Sequence, residues 1–196
     1  MLLIKDKDNI ITHISSHSIE FLKQKARKLK RNQATTHVQA LDEIAKSHGF
    51  NHWHHVTVAN KNMMPAETAL SSGCVVAFDI KDGLEVNTSD GLIIQDPALS
   101  PLTYNILFEV YVNSPDVGDR HHPMNENPPE VERQTIFSEE HDQYMFFRLN
   151  PLIIDKSIEE ILGIIKEHSF FMPYIIWLQG EMTDLSDITT DDCVRI

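Results

Sequence analysis

LTYNILFEVYV, residues 102–112, is the stretch on which the fold reading turns. Tyr104, Ile106, Phe108, Val110 and Val112 recur at every second position and are all aromatic or β-branched. That is the pattern of a strand with one buried face. CVVAFDI (74–80) alternates in the same way, with Cys74, Val76, Phe78 and Ile80 on one side. The tripeptides KDG (81–83) and SDG (89–91) form turns and cut LEVNT and LIIQ into short strands of a meander. YMFFRL (144–149) and FMPYIIWLQ (171–179) add two further strands. Between these a helix starts at Asp155 or Ser157. Ser157 and Glu160 have capping-box spacing, and Ile158, Ile161, Leu162 and Ile165 form its apolar stripe. Residues 113–143, rich in Pro, Asn, Asp and Glu, read as a long mobile loop, and 181–196 as a solvated acidic tail. The second half is thus predicted to be an antiparallel sheet with one long covering helix.

The first third has a helical period. In SIEFLKQKARKLKR (18–31), Ile19, Leu22, Ala26 and Leu29 make one stripe. Lys23, Arg27 and Lys30 share another face, with Lys28 and Arg31 beside it. A second helix over 35–50 opens with Thr36 and Gln39 at capping-box spacing and carries Leu41, Ile44 and Ala45 inward. It closes at Gly49, a left-handed C′ position, with Phe50 folding back as in a Schellman motif. Asn51 then caps a short third helix, HWHHVTVAN, whose buried face is Trp53 and Val56. NKNMMPAETALSSG (60–73) reads as a polar connector or a weak helical turn. The predicted architecture is α+β. A basic three-helix, helix-turn-helix-like module (1–62) is followed by a connector (63–73) and an acidic α+β domain (74–196).

Charge divides along the same line. Residues 1–61 hold ten Lys/Arg and five Asp/Glu, a net +5, and the rest hold seven and 24, a net −17. A basic head on an acidic body points to a polyanion or an acidic partner at the head. No apolar run approaches the roughly 20 residues of a membrane span. MLLIKDKDNI has no signal-peptide core, so a cytoplasmic location is expected. Cys74 and Cys193 sit far apart without a CxxC pair and read as free thiols.

Residues 18–60 resemble a small helical module of bacterial, often plasmid- or mobile-element-borne proteins, commonly labelled the glyoxalase-related protein domain. The matching positions are Ala26, Lys28, Leu29, His37, Ala40, Leu41, Ile44, Ala45, Gly49, Phe50 and Trp53. The resemblance implies a mobile-element setting and brings no catalytic residue with it. It stops at the module: a glyoxalase-type body needs two βαβββ repeats, and 74–196 shows no internal repeat.

HGFNHWHHV (48–56) is the densest group of chemically capable side chains. His52 and His55, at i and i+3, are candidate metal ligands, yet no HExxH, CxxC or third ligand stands at a recognisable spacing. The Asp79-Ile80-Lys81 tripeptide lacks the acidic partner of a nuclease motif, and the chain has neither a phosphate loop nor a GxSxG. As a base-reading helix, the third helix offers mainly histidines, Thr57 and Asn60, so phosphate contact by the first helix is the better-supported role.

The resulting expectation is a cofactor-free, non-enzymatic binding or regulatory protein. Lys23, Arg27, Lys28, Lys30 and Arg31 would contact nucleic acid or an acidic partner, and the body would mediate protein contacts such as self-association. Two alternatives stay open. The acidic domain mimics nucleic acid, as an antitoxin-like binder of a basic protein does. Or the chain is a metal-dependent, glyoxalase-like enzyme using His52, His55, His121 and His122.

Overall fold

A computed structural model describes residues 1–5, 11–33, 35–113, 128–153 and 155–185. It divides the chain into two compact units, Met1–Thr68 and Ala69–Ile196. Among the described residues no helix is long and apolar enough to cross a membrane.

The first unit begins with strands, not with a helix. β1 (Leu3–Lys5) and β2 (Ile11–Ile14) pair antiparallel. Strands of three and four residues are too short for an alternation to be read, which is why the helical reading of the first third passed over them. α1 (Ser16–Asn32) follows, capped by the Ser15 side chain, which accepts from the Ser18 backbone N–H. Ile19, Leu22 and Ala26 are buried along its inner stripe. α2 (His37–Ser47) has the reciprocal Thr36/Gln39 capping box. Its other end is a complete Schellman motif. Gly49 has φ +88°, its N–H reaches Lys46 O, and the Phe50 N–H reaches Ala45 O at 3.0 Å. Phe50 then enters a core with Ile11, Ile14, Ile19, Leu22, Ala45, Val56 and Ala59.

α3 runs Trp53–Ser72, twenty residues, through Pro65. The expected connector is therefore helix. Buried Val56, Ala59, Met63, Ala66 and Ala69 continue the stripe at spacings of three and four. Pro65 costs the helix one backbone hydrogen bond without ending it. Side chains of α3 grip β2: Asn60 donates to Ile14 O at 3.1 Å, and Asn62 to Thr12 O at 3.2 Å. The unit is thus a two-stranded sheet followed by three helices, which corrects the expected three-helix, helix-turn-helix-like module.

The strands of the second unit are β3 (Cys74–Asp79), β4 (Ile93–Gln95), β5 (Tyr144–Leu149), β6 (Ile175–Leu178) and β7 (Glu181–Asp184). They form a five-stranded antiparallel sheet in the order β4-β5-β3-β6-β7. α4 (Ile80–Gly83) is a single turn, so LEVNT is not a strand. α7 (Ile158–His168), opened by the Ser157/Glu160 capping box, sends Ile161 and Ile165 into a core with Cys74, Val76, Phe78, Phe147 and Ile176.

The expectation of one covering helix is overturned by α5 (Leu99–Asn113) and α6 (Glu130–His141). The strongest predicted strand, 102–112, lies inside α5. Its buried residues Leu99, Thr103 and Leu107 recur every four positions, a helical period hidden beneath the alternation. Pro101 sits in the first turn, where a missing N–H costs nothing. Tyr104 and Phe108 meet Phe137 of α6 at ring-centroid distances of 5.0 and 5.4 Å. His141 of α6 meets Phe146 of β5 at 5.4 Å. Phe146 points away from the Phe147 face, so α5 and α6 lie on the side of the sheet opposite α7. The start of the presumed tail is also structural. Gln179 and Gly180, with φ +53° and +87°, make a two-residue turn, and β7 pairs with β6 beyond it.

Candidate functional site

Of the five predicted basic residues, the structure brings three together. The inward stripe of α1 turns Arg27, Lys30 and Arg31 outward near its C-terminus. His37, the first residue of α2, faces them. The four side chains line a groove of about 500 Å³. All four are exposed, and among the described residues none of them forms an ion pair or a hydrogen bond to an acidic group. Arg27 spends part of its field on the Glu20 carboxyl, while the other cations leave theirs to an external anion.

The other basic residues of α1 are placed differently. Lys23 is bound to Glu20, three residues earlier, and that contact holds the Glu20 carboxyl below the usual carboxylate range. Lys25 lies 4.5 Å over the Phe21 ring and donates to His48 Nε2 at 3.1 Å. Lys28 is exposed but lies outside the groove lining. Sequence reasoning did not place His37 in this group, because only the packing of α2 on α1 shows which way its first residue points.

The histidine-rich corner has a different use for its side chains. His48 Nδ1 faces Ile44 O at 2.8 Å. A carbonyl can only accept, so Nδ1 carries the hydrogen and Nε2 receives the Lys25 ammonium. His52 stands just before α3, and its Nδ1 accepts the His55 backbone N–H at 3.2 Å, a capping contact. His55 Nε2 donates to Ile11 O of β2 at 2.9 Å, while its Nδ1 faces the Asn51 N–H at 3.5 Å. Its ring also stands edge-on to Phe50 at 5.4 Å. The His52 and His55 rings are 6.5 Å apart, and their inward nitrogens are already engaged by backbone groups. Among the described residues no three His, Cys, Asp or Glu side chains gather as a metal-binding group. His121 and His122 lie outside the described residues.

Base reading by α3 is likewise opposed by the geometry. Asn60 is spent on Ile14 O, and the Thr57 hydroxyl donates to His54 O at 2.7 Å.

Titratable groups of the second unit serve the fold. Burial pushes the Cys74 thiol up to about 12, far from a reactive thiolate. Burial lowers the pKa of His141, which sits among Tyr104, Phe137 and Phe146. His168 donates from Nε2 to Asp90 Oδ2 at 2.8 Å and from Nδ1 to Ile164 O at 2.7 Å. The Asp90 contact, then the Ile164 carbonyl, raises the His168 pKa, and the same contact holds Asp90 low. No family model, no curated protein and no solved structure matches this chain.

Proposed function

We propose that the first unit binds the phosphate backbone of a nucleic acid through Arg27, Lys30, Arg31 and His37, with Lys28 beside them and Lys23 as a minor contributor. The protein acts as a binding or regulatory component rather than as an enzyme. The observation that carries this reading is the groove whose described lining consists of four cation-capable side chains with no acidic neighbour bound to them. The likeness of residues 18–60 to the glyoxalase-related module adds a mobile-element setting to the proposal and no chemistry.

Backbone binding by cations releases condensed counterions, so affinity falls with salt at a slope of about −0.9 per phosphate contacted on duplex DNA. Three contacts give a slope of about −2.7 on duplex and about −2.1 on single strands, and only modest affinity. The test is anisotropy of labelled 20-nucleotide probes, single-stranded and duplex, between 20 and 200 mM salt with the full chain. Binding that weakens with these slopes supports the reading. So does a loss of at least tenfold in Arg27→Glu/Lys30→Glu/Arg31→Glu with an unchanged thermal midpoint. No binding to either probe at the lowest salt overturns it. Retention of poly-glutamate with no nucleic-acid binding would assign the groove to an acidic protein partner instead.

A further inference from the structure

Along α1, His17, Phe21, Gln24, Lys28 and Arg31 recur at spacings of four, three, four and three. All five are exposed, and they form one ridge on the side of the helix opposite Ile19, Leu22 and Ala26. Fourteen helical steps separate His17 from Arg31, so the ridge is about 21 Å long. Its two ends differ in chemistry. Lys28 and Arg31 stand at the C-terminal end, next to the groove shared with Arg27, Lys30 and His37. His17 and Phe21 stand at the other end, where a second cavity of about 150 Å³ is lined by Met1, His17, Ser18 and Phe21. A cavity on the order of 150 Å³ accepts a benzene-sized ring. The Phe21 side chain is large and apolar and 43% exposed, an unusual choice for the outer face of a basic helix.

The geometry points to single-stranded nucleic acid as the ligand class of this site, with Phe21 as a stacking platform for an unpaired base and the groove as the holder of the backbone. This rests on the backbone-binding reading given above. The distance from Phe21 to Arg31 along α1 is roughly 15 Å, so one strand spans both. An aromatic face is useful only to a base that is free of its partner, because a duplex keeps its bases stacked inside. The combination of cations tracking a backbone with an aromatic ring beside it is the general solution for unpaired strands. Lys25 strengthens the arrangement. Its ammonium, 4.5 Å from the Phe21 centroid and tied to His48, covers one face of the ring and polarises it, so the base stacks on the other face.

The experiment compares labelled dT20, rU20 and a 20-base-pair duplex at 50 mM salt, using the full chain and four variants. The wild type is expected to bind an unpaired strand at least fivefold more tightly than the duplex. Phe21→Ala and Phe21→Leu should each lose five- to tenfold on the unpaired strands and change duplex binding by less than twofold. Phe21→Trp should restore or exceed wild-type affinity, and the groove triple Arg27→Glu/Lys30→Glu/Arg31→Glu should weaken all three probes. The two single-stranded probes report whether the strand is DNA or RNA. Circular dichroism checks folding, and Phe21→Leu keeps the apolar contact if Phe21→Ala unfolds. Duplex binding equal to or stronger than single-strand binding overturns the inference, as does insensitivity of the single-strand affinity to position 21. In both cases the groove reading survives, whereas failure of every probe to bind removes both.

Discussion

The corner at 48–56 and the groove at 27–37 both gather basic side chains, and they use them in opposite ways. In the corner, His48, His52 and His55 each meet a backbone group. They close α2, start α3 and hold β2 to α3. In the groove, Arg27, Lys30, Arg31 and His37 form no ion pair or hydrogen bond with an acid among the described residues, and only Arg27 feels the charge of one, Glu20. The corner is denser in chemically capable groups, yet His48, His52 Nδ1 and His55 are engaged within the protein. A candidate site is better sought where polar side chains are left over than where they are most numerous.

The largest expected effect tests the corner as architecture. Phe50 is buried at the end of the Schellman motif and packs with Ile11, Ile14 and Val56. Phe50→Ala should cost about 3–5 kcal/mol of stability in the first unit, measured by denaturant unfolding. Next comes Gly49→Ala. A Cβ there would meet Ile11 Cδ1 at an acceptable 3.4 Å, so its cost comes from forcing φ +88° on an alanine, about 1–2 kcal/mol. His52→Ala removes a helix cap and should cost about 1 kcal/mol, with Asn at the same position recovering most of it. These substitutions should leave oligonucleotide affinity within twofold as long as the protein is folded. A groove substitution such as Arg31→Glu should do the reverse. If His52→Ala weakened binding as much as Arg31→Glu does, the contrast between the two regions would collapse.

How far each region could be read beforehand follows from where its determinants lie. α2 declares itself locally: Thr36, Gln39, Gly49 and Phe50 fix both of its ends within a few residues. α7 does the same through Ser157 and Glu160. α5 does not. Its aromatic and β-branched residues satisfy a period of two, and the helix wins through the burial of Leu99, Thr103 and Leu107 and the rings that α6 supplies. Its start was nevertheless signalled, since the Asp96 side chain accepts the Ala98 N–H just ahead of Pro101. α6 buries only Phe137 and His141, too few apolar residues for a pattern to emerge from a Pro- and Glu-rich segment. At the site, the stripe at 19, 22 and 26 was enough to turn Arg27, Lys30 and Arg31 outward. The pairing of Lys23 with Glu20 was also legible, as an i, i+3 contact of opposite charges. The contribution of His37 depends on the packing of α2 on α1, which no local pattern encodes.

The second unit uses histidine in a third way, and here the smallest effect is expected. His168 carries a raised pKa and Asp90 a lowered one, because each stabilises the charged form of the other. A raised histidine contributes stability that is fully present below its unfolded value and is lost as pH rises through the folded one. A lowered carboxyl contributes above its unfolded value, and that part is lost as pH falls through the folded one. The pair is therefore strongest in the mildly acidic range between these limits. It clips the 87–92 turn to the end of α7, since the Asn87 N–H donates to His168 O and the Leu92 N–H to Asp90 Oδ1. Amide-exchange protection factors at Asn87 and Leu92 should decline as pH rises from mildly acidic to alkaline, and His168→Gln should flatten that decline. His141 works in the opposite direction. Its pKa is lowered by burial, so the stability it allows is lost as pH falls through the ordinary histidine range. A protection loss at 87–92 on acidification, absent on alkalinisation, would therefore assign the pH response to buried His141 and leave the His168–Asp90 contact a neutral hydrogen bond.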